Sequence, residues 1–136
     1  MDSIREKAVQ AFADRINAGR CLQLDGHSEL PARTVWDPTE SAARTTYGKR
    51  EITVTLNVAA MAELDRAQNQ SKQGNAMLAE LQNDALNADP TLGGLCKSID
   101  YTDSVIDYPE PGQNEIMVLA VFELVYETDT ASPYNP

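Results

Sequence analysis

The sequence predicts an α+β fold: a mainly antiparallel four-stranded sheet with two helices packed on one face, in the order αββαββ. Two segments repeat apolar residues at helical spacing, and four segments have the composition or the alternation of strands. A loop signal joins the two strands of each consecutive pair, which favours antiparallel neighbours. Each helix has a single apolar stripe, so both can cover the same face of the sheet.

The first helix is predicted to begin after Ser3 and to end near Gly19. Ser3 is a favourable N-cap, and Glu6 stands three residues later, as a capping box requires. The apolar stripe consists of Ile4, Ala8, Val9, Phe12, Ala13 and Ile16. Glycine often follows the last residue of a helix, so Gly19 is a natural stop.

Two strands are predicted between the helices. A short strand around Val35 is expected to end at Asp37-Pro38, because this dipeptide favours a turn. The polar segment 39–49 is predicted to form a loop or an extended hairpin tip. Residues 52–58 alternate between apolar and polar side chains, which indicates a half-buried strand. Residues 59–67 are compatible with more strand or with the start of a helix.

The second half of the chain predicts a helix followed by a hairpin. The helix covers about residues 72–88 and ends at Asp89-Pro90. One strand runs from Ile99 towards Asp107, and the turn after it contains two prolines and a glycine. In the last strand, residues 116–126, apolar side chains occupy both faces of the first half. This pattern predicts burial on both sides there.

Length and charge limit the class of protein. The 136 residues fit one domain, assigned to residues 1–128, with an irregular tail over residues 129–136. A net charge of −10 and a pI of about 4.4 disfavour tight binding of nucleic acid and docking on anionic membranes. Neither a signal peptide nor a membrane-spanning run is recognised. We therefore expect a soluble protein with free thiols at Cys21 and Cys96.

Few residues could carry chemistry. His27 is the single histidine, and its position in a turn beside Asp25 favours a solvated side chain over a general base. The acidic residues between Asp100 and Glu110 lack the glycine and the closing glutamate of a calcium loop, and two distant cysteines do not make a zinc site. No catalytic residue, metal or cofactor is predicted, and we expect the chain not to be an enzyme.

Basic and aromatic residues in loops are the candidates for contact with other proteins. Arg44, Lys49 and Arg50 form a basic cluster around Tyr47. The cluster is compatible with a solvated loop, with an acidic surface of a neighbouring chain or, more weakly, with nucleic acid. Aromatic residues are enriched at interfaces. The predicted interface residues are Trp36, Glu40, Arg44, Tyr47, Lys49, Arg50, Tyr108 and Tyr134.

Three local sequences carry a resemblance to a known family. They are Asp-Pro-Thr-Leu-Gly-Gly-Leu-Cys at residues 89–96, Ile-Asp-Tyr at residues 106–108, and Phe-Glu-Leu-Val-Tyr-Glu-Thr at residues 122–128, followed by Pro133-Tyr134. Together with the order of elements, they make essentially the whole chain resemble the tail terminator (tail-completion or neck) proteins of long-tailed bacteriophages. These motifs are structural rather than catalytic.

The resemblance implies a structural protein of the virion, made in the host bacterial cytoplasm. Such proteins form a ring, usually hexameric, on the end of the completed tail tube. The ring stops polymerisation of the tube protein and offers a surface to the head–tail connector or stopper protein. DNA passes through the lumen without specific binding, and no membrane is involved.

Other functions remain open from the sequence. Within the same class, the chain could be a stopper or a tail-tube-like subunit. A tube subunit is expected to have longer hairpins and more strand than this sequence predicts. In a different class, it could be a small enzyme or ligand-binding domain that uses Asp25, His27 and Asp37. An adaptor that binds one partner as a monomer is a third alternative.

Overall fold

The computed structural model describes residues 1–25, 28–46 and 48–136, which form two helices and one five-stranded sheet. The helices are α1 (Ile4–Arg15) and α2 (Gln70–Leu86). The strands are β1 (Gly19–Arg20), β2 (Ala32–Thr46), β3 (Lys49–Glu63), β4 (Ser98–Asp107) and β5 (Glu115–Asp129). The strand order is β1-β2-β3-β5-β4, with β1 parallel to β2 and every other pair antiparallel.

The predicted α+β class, with a mainly antiparallel sheet and two helices, is confirmed, but the four-stranded order αββαββ is wrong. A fifth strand, β1, follows α1 and pairs with Thr34 and Val35. It has only two residues, so it leaves no alternation to detect in a sequence. The chain leaves it at Cys21, whose φ of 54° ends the extended conformation.

The predicted end of a strand at Asp37-Pro38 is also wrong, because β2 continues through both residues. Asp37 and Pro38 lie opposite the single residue Leu56, which makes a β-bulge. β1 pairs no further than Val35, so this part of β2 is an edge that needs no donor from Pro38. Residues 39–46 and 49 therefore lie in the strands of an extended hairpin, which is one of the two predicted alternatives, and β3 continues to Glu63.

Both helices contribute to one core on the same face of the sheet. Ser3 caps α1 by accepting the N–H of Glu6 at 3.1 Å, as the sequence predicted. The ring of Phe12 lies 5.5 Å from that of Phe122 on β5, and Tyr101 on β4 lies 5.8 Å from the same ring. The largest fully buried side chains of this core are Phe12, Phe122, Ile16, Leu56, Leu81, Leu124, Val9, Val35, Val54 and Val58.

Two arginines fasten the helices to β2. Arg33 donates to the carbonyl of Ile16 at the end of α1, 2.9 Å away, and to Asp84 of α2, 2.8 Å away. Arg5 of α1 donates to Asp37, 3.0 Å away, and to Glu40. These bonds hold both ends of α1 against the same strand.

The C-terminal tail folds back onto the hairpin end of the sheet. The carbonyl of Pro133 accepts the N–H of Ile4 at 3.1 Å, and the carbonyl of Asn135 accepts the N–H of Asp129 at 2.8 Å. Lys49 donates to the carbonyl of Pro136 at 2.5 Å. The tail thus joins the start of α1 to the end of β5.

The two cysteines do not meet. Cys21 is exposed, whereas Cys96 is buried and both are free thiols. Desolvation by burial raises the pKa of the Cys96 thiol to about 11, so this group stays protonated and unreactive at neutral pH.

Gly74 allows α2 to approach β4 closely, and this gives a test of the fold. A Cβ at Gly74 would lie 2.8 Å from Cγ2 of Ile106. Alanine gains about 1 kcal/mol of helix propensity but overpacks the contact by about 1–3 kcal/mol. We expect Gly74→Ala to lower the free energy of unfolding in urea by about 1 kcal/mol.

The matched background is Ile106→Ala, which removes the obstructing methyl groups. There the same Gly74→Ala substitution is expected to raise the free energy of unfolding, because only the gain in propensity remains. A rise in both backgrounds would contradict this close packing of α2 on β4.

Candidate interaction surface

The face of the sheet opposite the helices carries exposed apolar side chains. Along β5, buried residues alternate with partly exposed ones, and the partly exposed set points away from the core. Val105 pairs with Leu119 across β4 and β5, and they are 57% and 40% exposed. We call the apolar side chains on this open face of β2, β4 and β5 the apolar band. Its members are Trp36, Val105, Met117, Leu119 and Val121.

The exposure of Leu119 corrects the sequence-based prediction that the first half of the last strand is buried on both faces. One face packs on the helices, but the other face of β5 lies open. The sequence therefore led to the wrong assignment of Met117, Leu119 and Val121 to the interior, whereas Trp36 of the same band was predicted to lie at an interface. Exposed contiguous apolar surface on a small protein is typical of a site of protein contact.

Carboxylates surround the apolar band on the same face. The register of β4 and β5 places Asp100 opposite Glu123 and brings Asp103 and Asp107 beside the band. Asp100, Asp103 and Asp107 are all exposed. The face therefore combines an apolar centre with an acidic rim.

One acidic pair on this face is neutralised by a lysine. Glu51 of β3 lies directly opposite Glu127 of β5, and like charges at such positions repel one another. Nζ of Lys97 lies 2.9 Å from Glu51 and 3.8 Å from Glu127. The hydrogen bond to Glu51 raises the pKa of the Lys97 ammonium above its ordinary value of 10.5.

The hairpin between β2 and β3 gathers the basic residues that the sequence singled out. Arg44 lies directly opposite Arg50, and Lys49 is the first residue of β3. We call Arg44, Lys49 and Arg50 the basic tip. Arg50 also lines a groove of about 260 Å³ beside Ser3 and the C-terminal tail.

The other predicted interface residues lie in separate places. Trp36 belongs to the apolar band, whereas Glu40 is held by Arg5 on the helical side of the sheet. Tyr134 is 46% exposed in the tail, at the hairpin end, and Tyr108 is 43% exposed just after β4, at the opposite end. Tyr47 lies outside the described residues.

The alternative site of Asp25, His27 and Asp37 gains no support from the parts that are described. Asp37 forms ion pairs with Arg5 at 3.0 Å and with Arg20 at 3.8 Å, which makes it part of the attachment of α1 to the sheet. His27 lies outside the described residues. Asp25 accepts a backbone hydrogen bond from Ser28, as in a turn.

A second groove, of about 350 Å³, lies where the ends of the helices meet β2 and β3. Ile16, Met61 and Met77 supply apolar walls, and the paired side chains of Arg33 and Asp84 line one side. Across residues 1–25, 28–46 and 48–136, no three metal-ligating side chains come together. Over the same ranges, no helix has the length and hydropathy needed to cross a bilayer.

The bridge formed by Lys97 can be tested by its removal. Lys97→Met is expected to lower the melting temperature, because Glu51 would then face Glu127 without a cation between them. The pKa of Lys97 is raised on folding, so the stabilisation is full at neutral pH and is lost as pH rises through the raised pKa. Thermal unfolding at neutral pH measures the effect.

The control is the double variant Glu51→Gln with Lys97→Met, which removes the repulsion together with the cation. It should recover most of the lost melting temperature, and added salt should shrink the deficit of the single variant. If Lys97→Met matched the wild type at low salt, the bridge would contribute nothing.

Comparison with known proteins adds no relative to this picture. No family model matches the chain, and a search of curated proteins found no significant match. The features that bear on function are therefore the apolar band, the acidic rim, the basic tip and the resemblance of the local sequences.

Proposed function

We propose that this chain is a structural tail terminator of a long-tailed bacteriophage. In this role, copies form a ring on the end of the tail tube, stop polymerisation of the tube protein and present a surface to the head–tail connector. The observation that carries the proposal is the apolar band, an exposed strip of a sheet face that the helices leave open. Such a surface is expected on a subunit that works by contact with other chains.

The charge of the chain is compatible with DNA passing through such a ring. A net charge of −10 repels phosphate, so a lumen formed by these subunits would not retain DNA by nonspecific attraction. The function is mechanical: no step of it requires a catalytic group or a cofactor. The protein would act in the virion neck after synthesis in the bacterial cytoplasm.

A tail-tube-like subunit is the second candidate, and one observation favours it. A tube subunit is expected to have long hairpins, and β2 and β3 form a hairpin of two 15-residue strands. The two candidates differ in what the protein does alone. A tube subunit polymerises into long tubes, whereas a terminator binds the end of an existing tube and halts its growth.

The proposed function is tested by adding the purified protein to growing tail tubes. We expect tubes of shorter mean length with a ring of this protein at one end, measured by electron microscopy and by light scattering. Bovine serum albumin at the same concentration is the control for crowding. Long tubes built from this protein alone would favour the second candidate, and a monomer that ignores tubes would contradict both.

The contribution of the apolar band is tested at its two most exposed members. Val105→Ser with Leu119→Ser is expected to weaken self-association and tube capping at least about tenfold, because apolar contact area is lost. The change should lower the free energy of unfolding less than a truncation in the core would, since both side chains are only partly buried. Analytical ultracentrifugation and urea unfolding measure the two quantities.

Leu86→Ser is the matched control for the apolar band, because Leu86 is 40% exposed at the end of α2, on the other side of the sheet. It should leave self-association and capping unchanged. Equal losses in the control and in the band variant would show that the band has no special role.

A further inference from the structure

The sheet has charges of the same sign directly opposite each other at both of its ends. Arg44 faces Arg50 at the hairpin end, and Glu63 faces Glu115 at the other end. Like charges at such positions destabilise a sheet. Unlike the pair bridged by Lys97, neither has an ion-pair partner within the part of the chain that the structure describes.

Carboxylates line the apolar band from the second end of the sheet. Glu115 and Asp107 lie on the open face of the sheet, and Asp103 continues the row along β4. We call Glu63, Asp103, Asp107 and Glu115 the acidic pole. Arg66 lies at the same end but donates to Asn114, 2.8 Å away.

The basic tip and the acidic pole occupy opposite corners of the sheet. In β5, Thr128 pairs with Arg50 of the tip, and Met117 pairs with Asp107 of the pole. Thr128 follows Met117 by eleven residues. At about 3.4 Å per residue, this separates Asp107 from the tip by about 37 Å, and Asp103, which is level with Val121, by about 24 Å. Charges interact in physiological salt only over about 8 Å. One copy therefore cannot neutralise its own pole with its own tip.

We propose that the basic tip of one copy binds the acidic pole, and the adjoining part of the apolar band, of a second copy. When a copy uses its tip towards one neighbour and its pole towards another, the contact is heterologous and can close into a ring. Closure into a ring rests on the proposed function, whereas the contact between two copies does not. Guanidinium groups of Arg44 and Arg50 would pair with the carboxylates of the acidic pole, which form no ion pair within the described part of the chain.

Charge complementarity selects a second copy as the occupant. The tip holds three of the eleven lysines and arginines of a chain whose net charge is −10, so positive charge is concentrated there. Glu63, Asp103 and Asp107 of the acidic pole are exposed and Glu115 is partly exposed, and Val105 and Leu119 supply apolar area next to them. Each copy thus carries a basic tip and an acidic pole that it cannot pair with one another, but that can pair with those of a second copy.

The proposal is tested with two charge-reversed variants of the full chain. The tip variant is Arg44→Glu with Arg50→Glu, and the pole variant is Asp103→Lys with Asp107→Lys. We expect each alone to self-associate at least about tenfold more weakly than the wild type, because like charges then meet at the contact. In a one-to-one mixture each variant offers the partner that the other lacks, and association should return. Sedimentation velocity, with and without tail tubes, measures the assembly.

The matched control is Lys7→Glu with Ala79→Glu and Asn83→Asp, which changes the net charge as much as the tip variant does. All three residues are exposed and lie on the helices, beyond the first turn of α2 that contacts Glu63. This control should assemble like the wild type. Thermal unfolding of every variant establishes that the chains are folded.

The outcomes separate the contact from the function. If each variant alone assembles as strongly as the wild type, the contact is overturned. The aspartates of β4 would then serve only to protect an edge strand. A wild type that stays monomeric with and without tubes overturns it as well. Restored assembly that stops at dimers supports the contact but rejects the ring of the proposed function.

Discussion

Strands β3 and β5 pair over fifteen residues, from Lys49 opposite Asp129 to Glu63 opposite Glu115, without a bulge. Side chains alternate between the two faces of a strand, so this one register assigns every residue of the central pair to a face. A slip of one residue would turn Phe122 and Leu124 towards solvent. The core, the open face and the positions of the charges all depend on this pairing.

The helices can use only the face that the register makes continuously apolar. Phe12 packs against Phe122, and Arg33 and Arg5 fasten the helices to the neighbouring strand β2. The opposite face is left with Leu119 and Val105 at its centre and carboxylates at its rim. A two-layer domain with one open sheet face is stable alone, but it retains apolar surface for a partner.

Local patterns predicted most of the elements, because the capping signal at Ser3 and the period of two in β3 are short-range. They failed where a partner strand decides the structure. Asp37-Pro38 signals a turn by itself, and only an edge strand opposite a bulge can accept it. The exposure of Leu119 also depends on where the helices pack, since an apolar residue in a strand has the same pattern on a covered or an open face.

The charges of the candidate surface could not be read from the sequence for the same reason. Arg44 and Arg50 are six positions apart, and only the hairpin register places them opposite each other. Glu63 and Glu115 come from distant segments altogether. A sequence shows how many charges there are, whereas their pairing is a property of the sheet.

Under the proposed contact, net charge and local charge have opposite effects on assembly. Copies that each carry a charge of −10 repel one another when they approach in most orientations, which opposes unaligned contacts. The attraction between tip and pole acts only within about 8 Å, so it needs the copies to be aligned first. A tube end that positions several copies side by side supplies this alignment. Under the proposed function, a tube end would therefore favour assembly of the ring.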